Sequence, residues 1–356
     1  MMKNRLWQLR EKMEKQGLDS LLITSLLNRR YLSGFTGSAG YLLITLDKAL
    51  LLTDFRYEDQ AADQAPDFEV IRHQGTLLEE VGKQLQITQP SKIGFEKQYV
   101  SYALYEGLQA CGANGDWIGT QGIVEELRMI KSADEIAVIK QACQMADNTF
   151  KHILGFIKPG VSERDVALEI EFYMRKLGAK SSSFDIIVAS GQRGALPHGV
   201  ASDKVIQSGE LVTMDFGAYY NGYISDLTRT VAVGEPNEKL REIYETVLKA
   251  QLRGVTEIRP GLTGKEADAL TREVITEAGY GECFGHSTGH GIGLEVHEGP
   301  GLSSKSDVVL KPGMVVTVEP GIYLSQLGGV RIEDDILITE NGCEIITQST
   351  KELIIL

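Results

Sequence analysis

The sequence predicts an α+β protein of two domains, a small α/β domain followed by a larger one. Three observations carry this expectation. Over the first third, short apolar runs alternate with helical stretches, as an α/β layer requires. Gly112 to Gly122 is glycine-rich and is the candidate linker, which puts the domains at residues 1–123 and 124–356. Beyond it two helices come first, and from Phe184 onward strands and turns predominate. A chain of 356 residues suits two ordinary domains or one very large one.

The elements follow in order. Leu6, Leu9 and Met13 recur at helical spacing, and Gly17 closes that helix. Ser20 to Thr24 is a short apolar strand. Gly40 to Leu46 and Ala49 to Thr53 read as a hairpin around Asp47-Lys48. Phe68 to Ile71 and Lys92 to Phe95 are further strands, with a helix from Thr76 to Leu85 between them and another from Tyr99 to Ala110. In the second domain Ser132 and Glu135 form a capping box, and Ile136, Ile139, Ala142, Cys143 and Ala146 make the apolar face of the helix behind it. Ser162 with Asp165 starts the next helix, and Gly178 ends it. Helices near Asn237 to Val255 and Thr263 to Ala278 interrupt the strands, and Met314 to Glu319, Gly329 to Ile338 and Glu344 to Ile346 are strands.

Composition excludes several functions. A net charge of -13 disfavours nucleic acid, whose phosphates need basic patches. Cys111, Cys143, Cys283 and Cys343 are far apart and form no CxxC pair, which argues against a zinc knuckle or a disulfide framework. No apolar run reaches the roughly 20 residues of a membrane span. The stretch MMKNRLWQLREKMEKQG lacks the apolar core of a signal peptide, so a cytoplasmic setting is expected.

The stretch TMDFGAYYNGYISDLTRT carries two aspartates among strand formers, where Asp is depleted. Asn221-Gly222 is a hairpin turn, since both residues accept the positive φ of a type I′ turn. A two-residue turn pairs Tyr220 with Tyr223 and, further out, Gly217 with Asp226. Asp215 then shares a face with Gly217. The two carboxylates are diagonal neighbours, about 7–8 Å apart at the backbone. Either that face is polar and solvated, or a proton or cation sits between the carboxylates.

Histidine is scarce, and three of the six fall within GHSTGHGIGLEVHEGPG, as His286, His290 and His297; His198 lies upstream in LPHG. The surrounding glycines let a ligand approach the backbone closely. Glu319 ends the strand MVVTVEPG, and Pro320-Gly321 is expected to stop pairing there. In GGVRIEDDILI, alternation puts Arg331, Glu333 and Asp335 on one face. By itself this could be a charged edge strand protected from pairing. Two Asp, one His and two Glu could instead surround two divalent ions, and such a set suits Mn²⁺ or a similar ion. Two ions about 3.5–4 Å apart can hold a bridging hydroxide and polarise a carbonyl, which is machinery for hydrolysing an amide.

At these residues the sequence resembles the pita-bread metallopeptidases, and within them the Xaa-Pro peptidases, prolidase and aminopeptidase P. MDFGAYYNGYISDLTRT, GHGIGLEVHE, TVEPGIY and VRIEDD occur in the family's order, and the likeness runs from about Val124 to Leu356. YLSGFTGSAG, at Tyr31 to Gly40, is similar to part of the family's creatinase-type N-terminal domain. The resemblance implies a C-terminal pita-bread fold behind a smaller α/β domain. It implies that Asp215 chelates one metal, that Asp226 and Glu333 bridge both, and that His290 and Glu319 bind the second. Glu319 would also be the general base. His198 would shuttle protons to the leaving nitrogen, His297 would hydrogen-bond the substrate carbonyl, and His286 and Arg331 would orient substrate and support the carboxylates.

The implied cofactor is two Mn²⁺ ions, with Co²⁺ or Zn²⁺ as alternatives. The implied substrates are small peptides with proline second, and a homodimer is expected. A proline amide lacks an N–H, so a dedicated pocket is needed. The reaction expected first is that of an Xaa-Pro dipeptidase, with aminopeptidase P, acting on longer peptides, as runner-up. Two other classes stand as alternatives: a metal-free creatinase-like amidinohydrolase and a catalytically inactive pita-bread binding module. The intact ligand set argues against both.

Overall fold

The computed structural model describes residues 2–356. They fall into two compact units, one ending at Arg128 and the other beginning at Met129.

The first unit is a six-stranded mixed sheet with helices. Its elements are α1 (Met2–Lys15), β1 (Ser20–Ile23), α2 (Leu26–Ser33), β2 (Tyr41–Thr45), β3 (Ala49–Thr53), α3 (Glu58–Gln64), β4 (Glu69–Arg72), α4 (Leu77–Thr88), β5 (Lys92–Glu96), α5 (Tyr102–Ala110), β6 (Asp116–Thr120) and α6 (Glu125–Arg128). The strand order is β4-β3-β2-β1-β5-β6. The hairpin around Asp47-Lys48 forms as expected, with Ile44 opposite Ala49. The glycine-rich stretch 112–122 is not simply a linker. It contains β6, which pairs in parallel with β5 from Lys92↔Asp116 to Glu96↔Thr120. Trp117 and Ile118 supply the strand character that the flanking glycines hide. Helix α2, absent from the sequence expectation, is bracketed by a Ser25 N-cap and by Gly34 at φ 80°.

In the second unit, α7 (Ala133–Ile153) and α8 (Glu163–Lys176) begin at the expected capping boxes, Ser132 with Glu135 and Ser162 with Asp165. There follow β7 (Ser181–Ser182), β8 (Ile187–Ser190), β9 (Glu210–Phe216), β10 (Ala218–Tyr220), β11 (Tyr223–Ile224) and β12 (Leu227–Val233). Next come α9 (Glu238–Glu257), α10 (Gly264–Glu277), β13 (Gly289–Gly291), β14 (Glu298–Leu302), β15 (Val315–Val318), β16 (Gly321–Leu324), β17 (Gly328–Arg331), β18 (Asp334–Ile338) and β19 (Cys343–Ile345). Two three-stranded sheets, β11-β10-β7 and β12-β9-β8, accompany a five-stranded sheet, β14-β13-β15-β18-β19, and the pair β16-β17.

Packing fixes which way the functional side chains point. Val212, Met214 and Phe216 of β9 are buried against Ala146, Phe150, Val166, Ile170 and Met174 of α7 and α8. Burying each of the three contributes about 1.5–3 kcal/mol. Alternation then turns Leu211, Thr213 and Asp215 to the other face. On that side Leu211 joins Ile322 and Val330, packed beneath Ile243 and Val247 of α9.

Two expectations about strands are corrected. The span Gly329–Ile338 is two strands, broken at Ile332–Glu333, where the Glu333 N–H leaves the ladder for the Thr228 carbonyl. Neither is a charged solvent edge: β18 lies between β15 and β19 with Asp334 and Asp335 fully buried, and β17, though paired only with β16, is buried along its length. Pro320-Gly321 also does not end pairing; the chain changes partner, and Gly321 pairs with Arg331.

Candidate active site

The hairpin turn forms as its sequence requires, with φ 46° at Asn221 and 88° at Gly222 and with Tyr220 opposite Tyr223. The same register resumes beyond, with Phe216 opposite Leu227 and Asp215 opposite Thr228. Between these two ladders the hairpin bends. A Cβ at Gly217 would lie 1.7 Å from the Ser225 carbonyl oxygen, so only glycine allows that approach. The bend frees Asp226 from regular pairing, and its N–H is taken by Asp335 Oδ2 at 2.9 Å.

Asp215 and Asp226 line a cavity of about 640 Å³. It also gathers His198, His286, His290, His297, Glu319, Arg331 and Glu333, so every candidate site residue named from the sequence meets here. Its apolar wall includes Phe184, Ile187, Val200 and Val296. Asp335, expected on the same face as Arg331 and Glu333, points instead into the interior, because the strand break resets the alternation. There it accepts the Asp226 N–H and the Cys143 thiol.

One ligand atom each from Asp226, His290 and Glu333 lie within 4.8 Å of one another. His290 Nε2 is 3.3 Å from Glu319 Oε1 and 3.8 Å from Asp226 Oδ2. His290 Nδ1 faces its neighbour's carbonyl, Gly291 O, at 3.2 Å. A proton on Nδ1 leaves the Nε2 lone pair aimed at the carboxylates, which is the tautomer a metal needs. Burial, with His297 beside it, lowers the His290 pKa to about 4, so the ring is neutral near pH 7.

The carboxylates are destabilised as anions. Burial pushes Glu319 up to about 8, with Asp215 adding to the shift and Arg331 opposing it. Burial, then neighbouring carboxylates, likewise raises Asp226 and Glu333 well above the ordinary range. Asp215 Oδ1 is buried without a hydrogen-bond partner. An orphaned oxygen, crowded carboxylates and one correctly presented imidazole fit divalent cations of the oxygen-preferring or borderline kind.

Other side chains hold this set. Arg331 donates to Asp215 Oδ2 at 2.6 Å, to Thr228 Oγ1 at 3.1 Å, and to the Pro197 carbonyl and Tyr323 hydroxyl, both at 3.0 Å. It thereby fixes the backbone next to His198. The Tyr323 hydroxyl is 2.8 Å from His286 Nε2, and Thr228 donates to Glu333 Oε2 at 2.6 Å. Thr317 links the His290 N–H to Glu319 Oε1. Sequence reasoning missed Tyr323, Thr228, Thr317 and the interior role of Asp335. Thr228 was within reach, since the hairpin register places it opposite Asp215; nothing local marks the others.

Residues 137–340 match the metallopeptidase family M24, and residues 5–130 match the creatinase/prolidase N-terminal domain. The chain is 43% identical to the Xaa-Pro dipeptidase of Pyrococcus furiosus, over 99% of this chain and 100% of that one. Its structure superposes on that of an Xaa-Pro dipeptidase from Bacillus anthracis with a TM-score of 0.99 at 57% identity, covering 100% of both chains. An X-Pro aminopeptidase from Thermotoga maritima superposes with a TM-score of 0.91 at 41% identity, covering 97% of this chain and 100% of that one.

Proposed function

We propose that this chain, which belongs to metallopeptidase family M24 and has that family's pita-bread domain behind a creatinase-type N-terminal domain, hydrolyses the bond between an N-terminal residue and a following proline, with Xaa-Pro dipeptides as its substrates. The observation that carries this is the single cavity in which Asp215, Asp226, His290, Glu319 and Glu333 converge beside His198, His286 and His297. Full-length similarity to Xaa-Pro dipeptidases supports the substrate class.

In this reading the five converging side chains hold two divalent cations. The oxygen-rich set with one imidazole favours Mn²⁺. When bound, such ions polarise an amide carbonyl and acidify water. Glu319 takes the proton of the attacking water as general base. His297 stands next to His290, with ring centroids 4.3 Å apart, and donates a hydrogen bond to the oxygen that becomes negative. His198 carries a proton to the departing proline nitrogen, which must leave protonated. Arg331 keeps Asp215, Tyr323 and the backbone before His198 in register. Four cysteines, none of them in a disulfide, accord with a cytoplasmic setting.

One observation favours the second reading, an aminopeptidase P acting on longer peptides. Among the described residues, Arg331 is the only Lys or Arg lining the cavity, and four of its five N–H donors are engaged. A reader for a free proline carboxylate would therefore be a histidine or a hydroxyl such as that of Ser287 or Ser303 rather than a free basic side chain. The deciding experiment incubates chelator-stripped protein with Ala-Pro, Ala-Pro-Ala and Ala-Ala, with and without Mn²⁺, Co²⁺ or Zn²⁺. Metal-dependent release from Ala-Pro alone supports the dipeptidase. Cleavage of Ala-Pro-Ala as well moves the assignment to aminopeptidase P. Equal cleavage of Ala-Ala removes proline selectivity, and no cleavage with any metal returns the inactive binding module.

A further inference from the structure

Phe284 to His290 carries two of the cavity histidines on a stretch with glycine at 285 and 289. Most of it lies outside strands, as β13 begins only at Gly289. Two side chains of α10 hold it. Arg272 donates Nη1 to the Phe284 carbonyl at 3.0 Å and Nη2 to the His286 carbonyl at 2.8 Å. Its guanidinium lies 4.3 Å from the centre of the Phe284 ring, and that ring meets the His286 imidazole edge-on at 5.0 Å. One turn earlier, Asp268 receives Arg272 through Nε at 2.7 Å and Nη2 at 2.8 Å. Asp268 Oδ1 also accepts the Thr288 N–H at 2.9 Å. Thr288 passes the constraint on, because its carbonyl accepts the Glu319 N–H at 2.7 Å.

We propose that Asp268 and Arg272 are positioning residues of the reaction, acting through the 284–288 backbone to set His286 against Tyr323 and to seat Glu319 at the end of β15. The proposal rests on the cavity being the active site. Neither residue lines that cavity; both line a separate one of about 350 Å³, so neither touches substrate. The chemistry needs arginine in particular. One planar fork serves a carboxylate and two carbonyls at once, which the point charge of a lysine does not reproduce. Asp268 is 1% exposed and has its own role: it orients the fork and anchors Thr288. A close approach makes the placement strict, since a Cβ at Gly289 would sit 1.9 Å from the Thr317 carbonyl oxygen.

The test uses the full chain with Arg272→Met and Arg272→Lys, alone and combined with His286→Ala. Hydrogen–deuterium exchange of peptides spanning 284–290 reads the clamp without reference to activity. Exchange is expected to speed at least about tenfold in Arg272→Met and to stay unchanged in β1 and β5, whose core cluster contains no residue of α10 or of 284–290. The kcat/KM for Ala-Pro is expected to fall about 10- to 100-fold with bound metal retained, as for other residues that orient a site from behind. In the His286→Ala background the Arg272→Met loss is expected to shrink at least about fivefold, because a shared route makes losses non-additive. Unchanged exchange at 284–290, or losses that multiply in full, overturns the proposal. Should Arg272→Met not fold, Arg272→Lys carries the same comparison. Should the unaltered protein leave Ala-Pro intact, the proposed activity fails, and the exchange arm still decides the clamp.

Discussion

Arg331 Nη2 lies 2.6 Å from Asp215 Oδ2, while the other oxygen of that carboxylate is buried without a partner. One guanidinium thus faces a cavity containing Asp215, Asp226, Glu319 and Glu333, and it is bonded to only one of the four. The remaining negative charge must be answered by protons or by added cations. The raised Glu319, Asp226 and Glu333 carboxyls are the proton answer. Divalent ions are the alternative, and the two compete for the same oxygens.

That competition gives a pH dependence with a definite sign. Without metal, burial holds Glu319 at about 8 and the interior Asp335 at about 8. A carboxyl raised on folding stabilises the fold fully below its unfolded pKa, and that contribution is lost as pH rises towards the folded value. His286 and His290, lowered to about 4 chiefly by burial, act oppositely, but only below their ordinary 6.5. Between pH 6.5 and 8 the carboxyls prevail. Chelator-treated protein is expected to lose on the order of 2 kcal/mol of stability per raised carboxyl over this window. Mn²⁺ is expected to reverse the loss, since it binds the folded state. Urea unfolding at both pH values, with and without metal, checks this. Metal-free protein that is more stable at pH 8 than at 6.5 would contradict it.

How much of this was legible follows from where each signal resides. The hairpin register was written in Asn221-Gly222, and with it the approach of Asp215 to Asp226, but the bend at Gly217, which the turn does not announce, takes Asp226 out of the expected pair with Gly217. The helices with capping boxes at Ser132 and Ser162 were equally local. Hidden features depended on partners distant in sequence. Glu333 leaves its strand for the Thr228 carbonyl, which no alternation pattern in GGVRIEDDILI announces. Asp335 was expected to share a face with Arg331 and Glu333 because alternation was assumed to persist across that break. Tyr323 matters only through His286 and Arg331, brought to it by tertiary structure. β6 escaped because its glycines resembled a linker, while its pairing partner lies at Lys92 to Glu96.

A second prediction concerns His297. Its ring packs against His290 but takes no part in holding the carboxylates together, so removing it should leave the cation-binding set intact. Its proposed hydrogen bond is to charge that develops only during reaction. His297→Ala is therefore expected to lower kcat about 10²- to 10³-fold with a much smaller change in KM. Steady-state kinetics on Ala-Pro, with metal content measured on the same samples, checks both halves. A kcat within about threefold of the unaltered protein would remove His297 from the chemistry, and lost metal would reassign it as a ligand.

The third prediction tests what supports the floor of the site from behind. Arg229 and Asp334 form an ion pair at 2.7 Å with side chains 1% and 0% exposed. Arg229 also donates to the carbonyls of Ser349 and Thr350, at 2.7 and 2.9 Å, and to that of Glu333. Asp334 accepts from Gln251 at 2.7 Å, from Thr347 at 2.9 Å and from Lys351. Burial alone would raise the Asp334 pKa, but Arg229 and Lys351 outweigh it and hold the group below its ordinary value. Removing one partner of such a pair strands a buried charge, so Arg229→Met is expected to cost about 3–5 kcal/mol. Lys351→Met should cost less, about 1.5–3 kcal/mol, as it removes one charged hydrogen bond and leaves Arg229 in place. Chemical denaturation of both variants decides the order. If Arg229→Met lies within about 1 kcal/mol of the unaltered protein, the pair is dispensable and the residues around 349–350 are anchored by other means. If the expected order holds, folded Arg229→Met should also lose activity beyond its lost stability, because the guanidinium that pairs with Asp334 also holds the Glu333 carbonyl.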